Sequence, residues 1–190
     1  MKTKEKFIKY TDLLIAWSKK INLVAPSTLN DIESRHIADS VQLSDYLPKD
    51  AIIADMGSGA GFPGVVLAIL GWDIIAIESV GKKADFLREL KKELDLDNLE
   101  IFNGRLEDFI KNNKNDNIIF TARAFAPLIK ILYFVYGVKN SRLFLLKGRE
   151  IESEILAAKT DFNFDYQLSP SKTGDGFILT VQNIKLFHTK

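Results

Sequence analysis

The sequence predicts an α/β fold: a mostly parallel seven-stranded sheet with helices on both faces, a helical N-terminal extension and an antiparallel C-terminal hairpin. Three observations predict it. Short apolar segments alternate with helical segments from residue 51 to about residue 160, which is typical of a parallel sheet. A glycine-rich turn joins the first strand of this series to its first helix. Two strand-like segments near the C-terminus flank a turn-rich stretch and predict a hairpin at the sheet edge.

The N-terminal part is predicted to be helical. Apolar residues recur there at roughly helical spacing, with lysines between them. They are Phe7, Ile8, Leu14, Ile15, Trp17 and Ile21. The break Pro26–Thr28 can begin a second helix, which we expect from about Leu29 to Leu47 before Pro48 ends this part.

In the rest of the chain the expected elements follow one another in order. The strands are expected at Ala51–Met56, Asp73–Glu78, Leu99–Asn103, Asn117–Thr121 and Ser141–Lys147. The helices are expected at Pro63–Leu70, Lys82–Leu94, Phe125–Gly137 and Glu150–Thr160. The hairpin strands are expected at Phe162–Leu168 and Gly176–Ile184. The polar stretch Lys111–Asn117 is expected to be a surface loop.

The composition is that of an ordinary globular protein, 46% hydrophobic and 27% charged. We expect one domain over residues 1–190, with residues 1–50 as an extension of a core formed by residues 51–190.

No apolar segment is long enough to span a membrane, and the N-terminus lacks the apolar core of a signal peptide, so we expect a cytoplasmic protein with no membrane partner. The absence of cysteine excludes disulfides, thiolate zinc sites and iron–sulfur clusters, and with two histidines no metal is expected. Because the net charge is only +1, a nucleic-acid partner would have to bind at a local basic patch.

The glycine-rich turn follows the first strand of the core and precedes its first helix, where such folds bind ligands. From Gly59, the spacing Gly-x-Gly-x-x-Gly is that of a dinucleotide site. From Asp55, the spacing Asp-x-Gly-x-Gly-x-Gly is typical of the first motif of S-adenosylmethionine (SAM) methyltransferases. A tight strand–helix turn with no ligand is the alternative that the glycines alone also allow.

Asp55 favours SAM over a dinucleotide. A dinucleotide places its pyrophosphate at the helix N-terminus, and a carboxylate at the end of the same strand would repel it. SAM carries an ammonium and a positively charged sulfur, and a carboxylate at this position can interact favourably with both, directly or through water. The alternative role for Asp55 is to cap the helix or stabilise the turn.

Glu78 ends the second core strand at the spacing expected for an acid that accepts hydrogen bonds from ribose hydroxyls. NAD and SAM sites share such an acid, so Glu78 indicates an adenosine-type ligand without choosing between them. The chain has no Tyr-x-x-x-Lys pair for hydride chemistry and no evident second domain for a dehydrogenase substrate. SAM is therefore the predicted cofactor.

Several separated segments match the motifs of one bacterial family. They are Arg35–Ser40 (RHIADS), Asp55–Gly64 (DMGSGAGFPG), Glu78–Lys83 (ESVGKK), Arg105–Glu107 (RLE), Arg123–Ala126 (RAFA) and Leu146–Gly148 (LKG). In this order, and over nearly the whole chain, they resemble the RsmG family, also called GidB. The chain departs from the family pattern at Ala60 and Phe62, where the family usually has proline and leucine.

The resemblance implies a Rossmann-like class I SAM-dependent methyltransferase that modifies N7 of a guanine in a conserved loop of bacterial 16S rRNA. The implied partner is the small ribosomal subunit, and we expect the enzyme to act as a monomer. N7 carries a lone pair and no proton to lose, so the transfer needs no general base and depends on positioning.

The resemblance also implies residue roles. Gly57 and Phe62 would contact SAM at the turn, Leu106 and Glu107 would line the adenine, and Arg123 would lie at the cofactor and face the incoming base. The complete predicted cofactor site is Asp55, Gly57, Gly59, Phe62, Glu78, Leu106, Glu107 and Arg123. The predicted RNA-binding residues are Arg35, Lys82, Lys83 and Lys147.

Several of these residues also have ordinary structural interpretations. Arg123 can pair with an acid near the sheet edge, and Arg35 and Asp39 have the four-residue spacing of a helix-surface ion pair. His36 is more typical of a packed histidine than of a catalytic one. The other functions left open are a small-molecule methyltransferase, a nucleotide-dependent oxidoreductase and a binding module without catalysis.

Overall fold

The computed structural model describes residues 1–113 and 118–187, apart from the side chains of Leu29 and Asn30. The strands are β1 Ile52–Met56, β2 Asp73–Glu78, β3 Leu99–Asn103, β4 Ile119–Arg123, β5 Arg142–Lys147, β6 Phe162–Pro170 and β7 Phe177–Leu186. They form a seven-stranded sheet of order β3-β2-β1-β4-β5-β7-β6. β7 runs antiparallel to the other six strands, which are parallel to one another. The predicted fold class, with its mostly parallel sheet and C-terminal hairpin, is confirmed.

The α-helices of the described residues lie between these strands and before them. They are α1 Thr3–Ser18, α2 Ala38–Val41, α3 Gly64–Ile69, α4 Gly81–Glu93, α5 Leu106–Asn112, α6 Leu128–Val135 and α7 Ile151–Ala158. None of the helices in residues 1–113 and 118–187 is long and apolar enough to cross a bilayer.

The helices pack on the two faces of the sheet. On one face, α1, α3 and α4 bury Tyr10, Val65 and Phe86 in a common core. On the other face, α5, α6 and α7 form a second core that includes Phe109 and Leu132. Because the N-terminal extension packs on the first face, its side chains reach the same edge of the sheet as the ends of β1 and β4.

The single second helix predicted over Leu29–Leu47 is wrong. The chain instead forms a 3-10 turn at Pro26–Asp31, a π-helical segment at Ile32–Ile37, the short α2 and a further 3-10 turn at Gln42–Asp45. The wider π turn lets Ile32, His36 and Ile37 all enter the core. Such a turn shifts the helical phase of the residues that follow it, and π turns recur near functional sites.

Two boundaries near the sheet edge differ from the prediction. β4 continues to Arg123, because its pairing with β5 extends through Arg123 and Leu146; the predicted first residue, Asn117, lies outside the described residues. α6 begins at Leu128 rather than at Phe125, since the residue before Pro127 is disfavoured in a helix.

The helix α5 was not predicted. It has seven residues, and only Leu106 and Phe109 of these are buried, which is too few for a helical period to be evident. The predicted loop at Lys111–Asn117 is therefore wrong at Lys111 and Asn112, which belong to α5. Residues 114–117 of that loop lie outside the described part of the chain.

Candidate active site

The glycine-rich turn after β1 depends on residues without a side chain. Gly57 has a φ of +68°, and a Cβ there would lie 2.5 Å from Cδ2 of Phe125. Gly61 has a φ of +95°, and its Cβ would lie 2.6 Å from Cγ2 of Val65 and 2.8 Å from the hydroxyl of Tyr10. Both positions combine a left-handed backbone with close approach, so glycine is required at each.

Asp55 lies beneath the turn and is fully buried. Its Oδ2 accepts hydrogen bonds from the Ser58 hydroxyl at 2.7 Å and from the Gly64 backbone nitrogen at 3.1 Å. Its Oδ1 is buried and has no hydrogen-bond partner among the described residues. Burial raises the pKa of Asp55 to about 7. These contacts fit the turn-stabilising role, and a direct role toward a cofactor stays a prediction.

Glu78, the last residue of β2, joins its strand to the turn. Its Oε2 accepts a hydrogen bond from the Gly59 backbone nitrogen at 2.9 Å, and its Oε1 accepts one from the Val80 nitrogen at 2.8 Å. The side chain is nearly buried. A carboxylate oxygen can accept more than one hydrogen bond, so Glu78 can hold the turn and still accept from a ligand hydroxyl.

Arg123 ends β4, the strand beside β1. Its Nε lies 3.2 Å from Oδ2 of Asp39, and its guanidinium carbon lies 5.7 Å from the ring centre of Phe62. Burial lowers the pKa of Arg123, and the neighbouring Asp39 carboxylate opposes this shift. The guanidinium is thus held at the sheet edge by an ion pair on one side and an aromatic face on the other.

Phe62 and His36 form an aromatic layer below this guanidinium. Their rings stack with centres 5.1 Å apart, and Phe62 also contacts Tyr10 at 5.4 Å. His36 is 7% exposed, and neither ring nitrogen has a hydrogen-bond partner among the described residues. Burial, reinforced by Arg123 and Arg35, lowers the pKa of His36 to about 4. His36 is therefore neutral and packed, as the structural interpretation expects.

A cleft of about 840 Å³ opens beside Arg123, over the carboxyl ends of β4 and β5. One wall comes from the N-terminal extension, with Arg35 and Asp39. The adjoining part of the wall is the turn between β6 and β7, which we call the hairpin turn (residues 171–176). Phe125 lines the cleft and also covers Gly57 of the glycine-rich turn, so a ligand at the turn and a ligand in the cleft would be neighbours.

A family model described as GidB, rRNA small subunit methyltransferase G, matches residues 3–174. The chain belongs to this family. Relatives named ribosomal RNA small subunit methyltransferase G, from Orientia tsutsugamushi (strain Ikeda) and Paramagnetospirillum magneticum, are 44% and 38% identical to it. These matches cover 91% and 92% of this chain and 86% and 85% of the relatives.

Solved structures with bound SAM or SAH share the fold at low sequence identity. An O-methyltransferase from Bacillus cereus in complex with SAH has a TM-score of 0.61 at 16% identity, over 92% of this chain and 91% of that one. A mutant of MtNAS in complex with S-adenosylmethionine has a TM-score of 0.62 at 13% identity, over 94% and 75%. With the family match, the predicted class is confirmed: the protein is a SAM-dependent rRNA methyltransferase of the GidB family.

The predicted RNA-binding residues of this methyltransferase lie in two places. Arg35 is exposed and lines the cleft, as does Lys147. Lys147 is committed to an internal ion pair, since its Nζ lies 2.6 Å from Oε2 of Glu154 and 2.9 Å from the carbonyl oxygen of Ala126. Lys82 and Lys83 lie in the first turn of α4, beyond the residues that line the cleft.

The predicted adenine contacts stand at the start of α5. Leu106 is 5% exposed and packs in the core with Phe109, so its side chain faces inward. Glu107 is exposed. Any contact of Leu106 with an adenine would thus be made largely by its backbone, while the Glu107 side chain is open to solvent.

Sequence reasoning missed three parts of the methyltransferase site. Asp39 pairs with Arg123 and also binds the hairpin turn, although its four-residue spacing from Arg35 indicated an ordinary surface pair. Phe125 covers Gly57, and Glu154 binds Lys147 inside the cleft. Asp39 and Phe125 belong to segments that the family resemblance had marked, whereas Glu154 does not.

Proposed function

We propose that this methyltransferase transfers the methyl group of SAM to N7 of a guanine in a conserved loop of bacterial 16S rRNA. The observation that supports the proposal is the position of Arg123. It ends β4, next to β1 and the glycine-rich turn, and it also lines the cleft. A cofactor on the turn and a base in the cleft would meet at this residue, at the carboxyl edge of the sheet.

The residues around the turn fit SAM. The Glu78 carboxylate can accept from ribose hydroxyls in addition to Gly59 and Val80. Asp55 supports the turn through Ser58 and Gly64. When bound, SAM supplies an electrophilic methyl group on a positively charged sulfur.

The cleft fits one nucleotide of an RNA loop. Its volume of about 840 Å³ falls within the roughly 300–1,000 Å³ of small-molecule sites. Arg35 and Arg123 bring positive charge to it, as an RNA ligand requires. Lys82 and Lys83, at the start of α4, would contact phosphates of the flanking nucleotides. A base in a loop can leave its stack and enter such a site.

Guanine N7 is the acceptor that the cleft chemistry favours, because the acidic and basic side chains closest to Arg123 are already engaged. The carboxylates of Asp39 and Glu154 are ion-paired with Arg123 and Lys147. His36 is buried against Phe62. An acceptor such as an exocyclic amine or a ribose hydroxyl must lose a proton, whereas N7 only has to be held in line with the methyl group.

The test is methyl transfer from labelled SAM to small ribosomal subunits that lack the modification, followed by mapping of the product. We expect one labelled guanine, recognised by the cationic base and the labile glycosidic bond that N7 methylation produces. A mixture of small metabolites serves as the competing acceptor. A methyl group on an exocyclic amine or on ribose would refute the proposal.

A matched variant tests the absence of a base. His36→Gln should retain the single-turnover transfer rate within about threefold, since no proton has to be accepted at that step. The rate should also show no requirement for a deprotonated group near neutral pH. A loss of about a hundredfold or more in this variant, with SAM binding intact, would indicate a base and contradict the mechanism.

A further inference from the structure

The carboxylate of Asp39 joins three parts of the chain that are far apart in sequence. Its Oδ2 pairs with Nε of Arg123 at 3.2 Å. Its Oδ1 accepts hydrogen bonds from Nε2 of Gln42 at 2.7 Å and from the hydroxyl of Thr173 at 3.0 Å. One side chain thus links the N-terminal extension, the end of β4 and the hairpin turn.

Gln42 completes the link to the hairpin turn. The residue is 5% exposed, and both ends of its amide are used. Besides Asp39, its Nε2 lies 2.9 Å from the hydroxyl of Ser171, and its Oε1 accepts from the Lys172 backbone nitrogen at 3.0 Å. A nearly buried amide with this many partners fixes the turn against the extension.

The same link restricts Arg123. Among the described residues, Asp39 is its ion-pair partner and engages Nε alone, while the guanidinium carbon lies over the ring of Phe62. The guanidinium is a planar fork of five N–H donors. The ion pair at Nε and the contact with the Phe62 ring therefore limit the directions that Nη1 and Nη2 can take.

Arg123, Asp39 and the hairpin turn all line the cleft. We propose that Asp39 and Gln42 are positioning residues of the transfer reaction. Asp39 orients the Arg123 guanidinium toward the acceptor nucleotide, and Asp39 and Gln42 together hold the hairpin turn in place as the adjoining wall of the cleft. The inference rests on the proposed function in one respect, that the acceptor nucleotide binds in this cleft.

Asp39→Asn is a sharp test because an asparagine cannot satisfy both sides of the link. Oδ2 faces the N–H of Arg123 and Oδ1 faces the N–H of Gln42. An amide nitrogen placed on either side would meet a donor, so one of the two contacts is lost in each orientation. Gln42→Ala removes the other half of the link.

The exposed pair of Asp45 and Lys172 provides the matched control. Oδ2 of Asp45 lies 2.6 Å from Nζ of Lys172, so the pair tethers the same hairpin turn without contact to Arg123. Asp45→Asn removes one negative charge from the same part of the extension, as Asp39→Asn does. It should leave the transfer rate within about twofold, since an exposed ion pair contributes little.

The experiment measures single-turnover methyl transfer with saturating SAM and RNA, and SAM binding by calorimetry. For Asp39→Asn we expect the rate to fall about 10- to 100-fold, the size of effect that misplacing a reacting group produces. For Gln42→Ala we expect a fall of about 5- to 20-fold by the same effect. SAM affinity should change less than the rate in both, because both variants keep Arg123 and neither Asp39 nor Gln42 belongs to the glycine-rich turn or contacts Glu78.

A second readout does not depend on activity. The Nε–Hε resonance of Arg123, assigned by its loss in Arg123→Lys, should be protected from exchange in the wild-type protein and in Asp45→Asn, and unprotected in Asp39→Asn. This measurement tests the link whichever atom of the RNA is methylated. A wild-type enzyme that methylates another position would refute the proposed function and leave the link testable.

Three outcomes would overturn the inference. Unchanged transfer rates in Asp39→Asn and Gln42→Ala would show that the link does not position anything. Equal losses in Asp39→Asn and Asp45→Asn would assign the effect to the tether or to net charge. Loss of both SAM binding and the cooperative thermal unfolding transition in Asp39→Asn would show that Asp39 stabilises the fold and has no separate positioning role.

Discussion

The backbone nitrogen of Gly59 donates a hydrogen bond to Oε2 of Glu78 at 2.9 Å. This contact joins the glycine-rich turn after β1 to the carboxyl end of β2, the two places where the sequence predicts contacts to SAM. The glycine-rich turn and Glu78 therefore form one unit, and a change in either should alter the affinity for SAM.

Glu78→Gln should weaken SAM binding about 10- to 100-fold. The glutamine amide nitrogen would face the backbone N–H of either Gly59 or Val80, so one of the two hydrogen bonds that hold the turn would be lost. Calorimetric titration with SAM measures the effect. The exposed Glu100 of β3 supplies the control, and Glu100→Gln should bind SAM normally.

The wild-type protein should bind one SAM per chain and no NAD. Tight NAD binding without SAM binding would contradict the cofactor assignment.

Gly59→Ala should weaken SAM binding and lower the free energy of unfolding by about 1–2 kcal/mol, the usual cost of a left-handed backbone for a residue with a Cβ. The strain comes from the φ of +52°, since the nearest atom to a Cβ would be the Gly57 oxygen at 3.7 Å. Gly81→Ala is the control, because a Cβ on Gly81 meets no atom within 4 Å. Thermal unfolding and calorimetry distinguish the two variants. Normal SAM binding by Gly59→Ala would indicate that the turn has only a structural role.

Charge reversal at Lys82 and Lys83 should weaken RNA binding and flatten its dependence on salt, because phosphate contacts release counterions. SAM affinity should change little. Reversal of Lys91 and Lys92, in the last turn of the same helix α4, changes the net charge equally and is the control. Binding to the target RNA is measured over a series of salt concentrations. A slope unchanged from wild type, or equal in the two variants, would remove Lys82 and Lys83 from the RNA-binding surface.

Asp55 and His36 should give opposite contributions to the pH dependence of stability. The pKa of Asp55 is raised to about 7 from an unfolded value of about 4. The folded protein thus binds more protons in that interval, and the contribution of Asp55 to stability falls as pH rises from about 4 to about 7. The pKa of His36 is lowered to about 4 from about 6.5, so its contribution rises with pH over that interval.

Denaturant unfolding of Asp55→Asn and His36→Gln across this pH range separates the two contributions. Relative to wild type, Asp55→Asn should gain stability as the pH rises, and His36→Gln should lose it. Each variant serves as the control for the other, since both remove a buried titratable group near the glycine-rich turn. Parallel pH profiles in wild type and Asp55→Asn would show that the carboxyl is not perturbed.

Local patterns in the sequence were sufficient for most of the fold. β1, the glycine-rich turn and β2 were predicted at or within one residue of their observed bounds, because an apolar strand and a glycine cluster can each be recognised from a few consecutive residues. The failures have local causes. The helix α5 was too short to show a period, and the π segment at Ile32–Ile37 has no pattern that distinguishes it from an α-helix.

The sequence by itself determined the strands, the glycine-rich turn and the acid at the end of β2, since each depends on residues close together in the chain. It also determined the family, through the order of its separate motifs. Only the tertiary structure decided which partner each charged side chain takes. Asp39 lies four residues from Arg35 but pairs with Arg123, because the π turn and the packing of the extension bring it to the end of β4. The Gln42 and Thr173 contacts to Asp39 span 3 and 134 residues. Contacts of the longer kind are set by how the sheet and the extension pack, which no local period encodes.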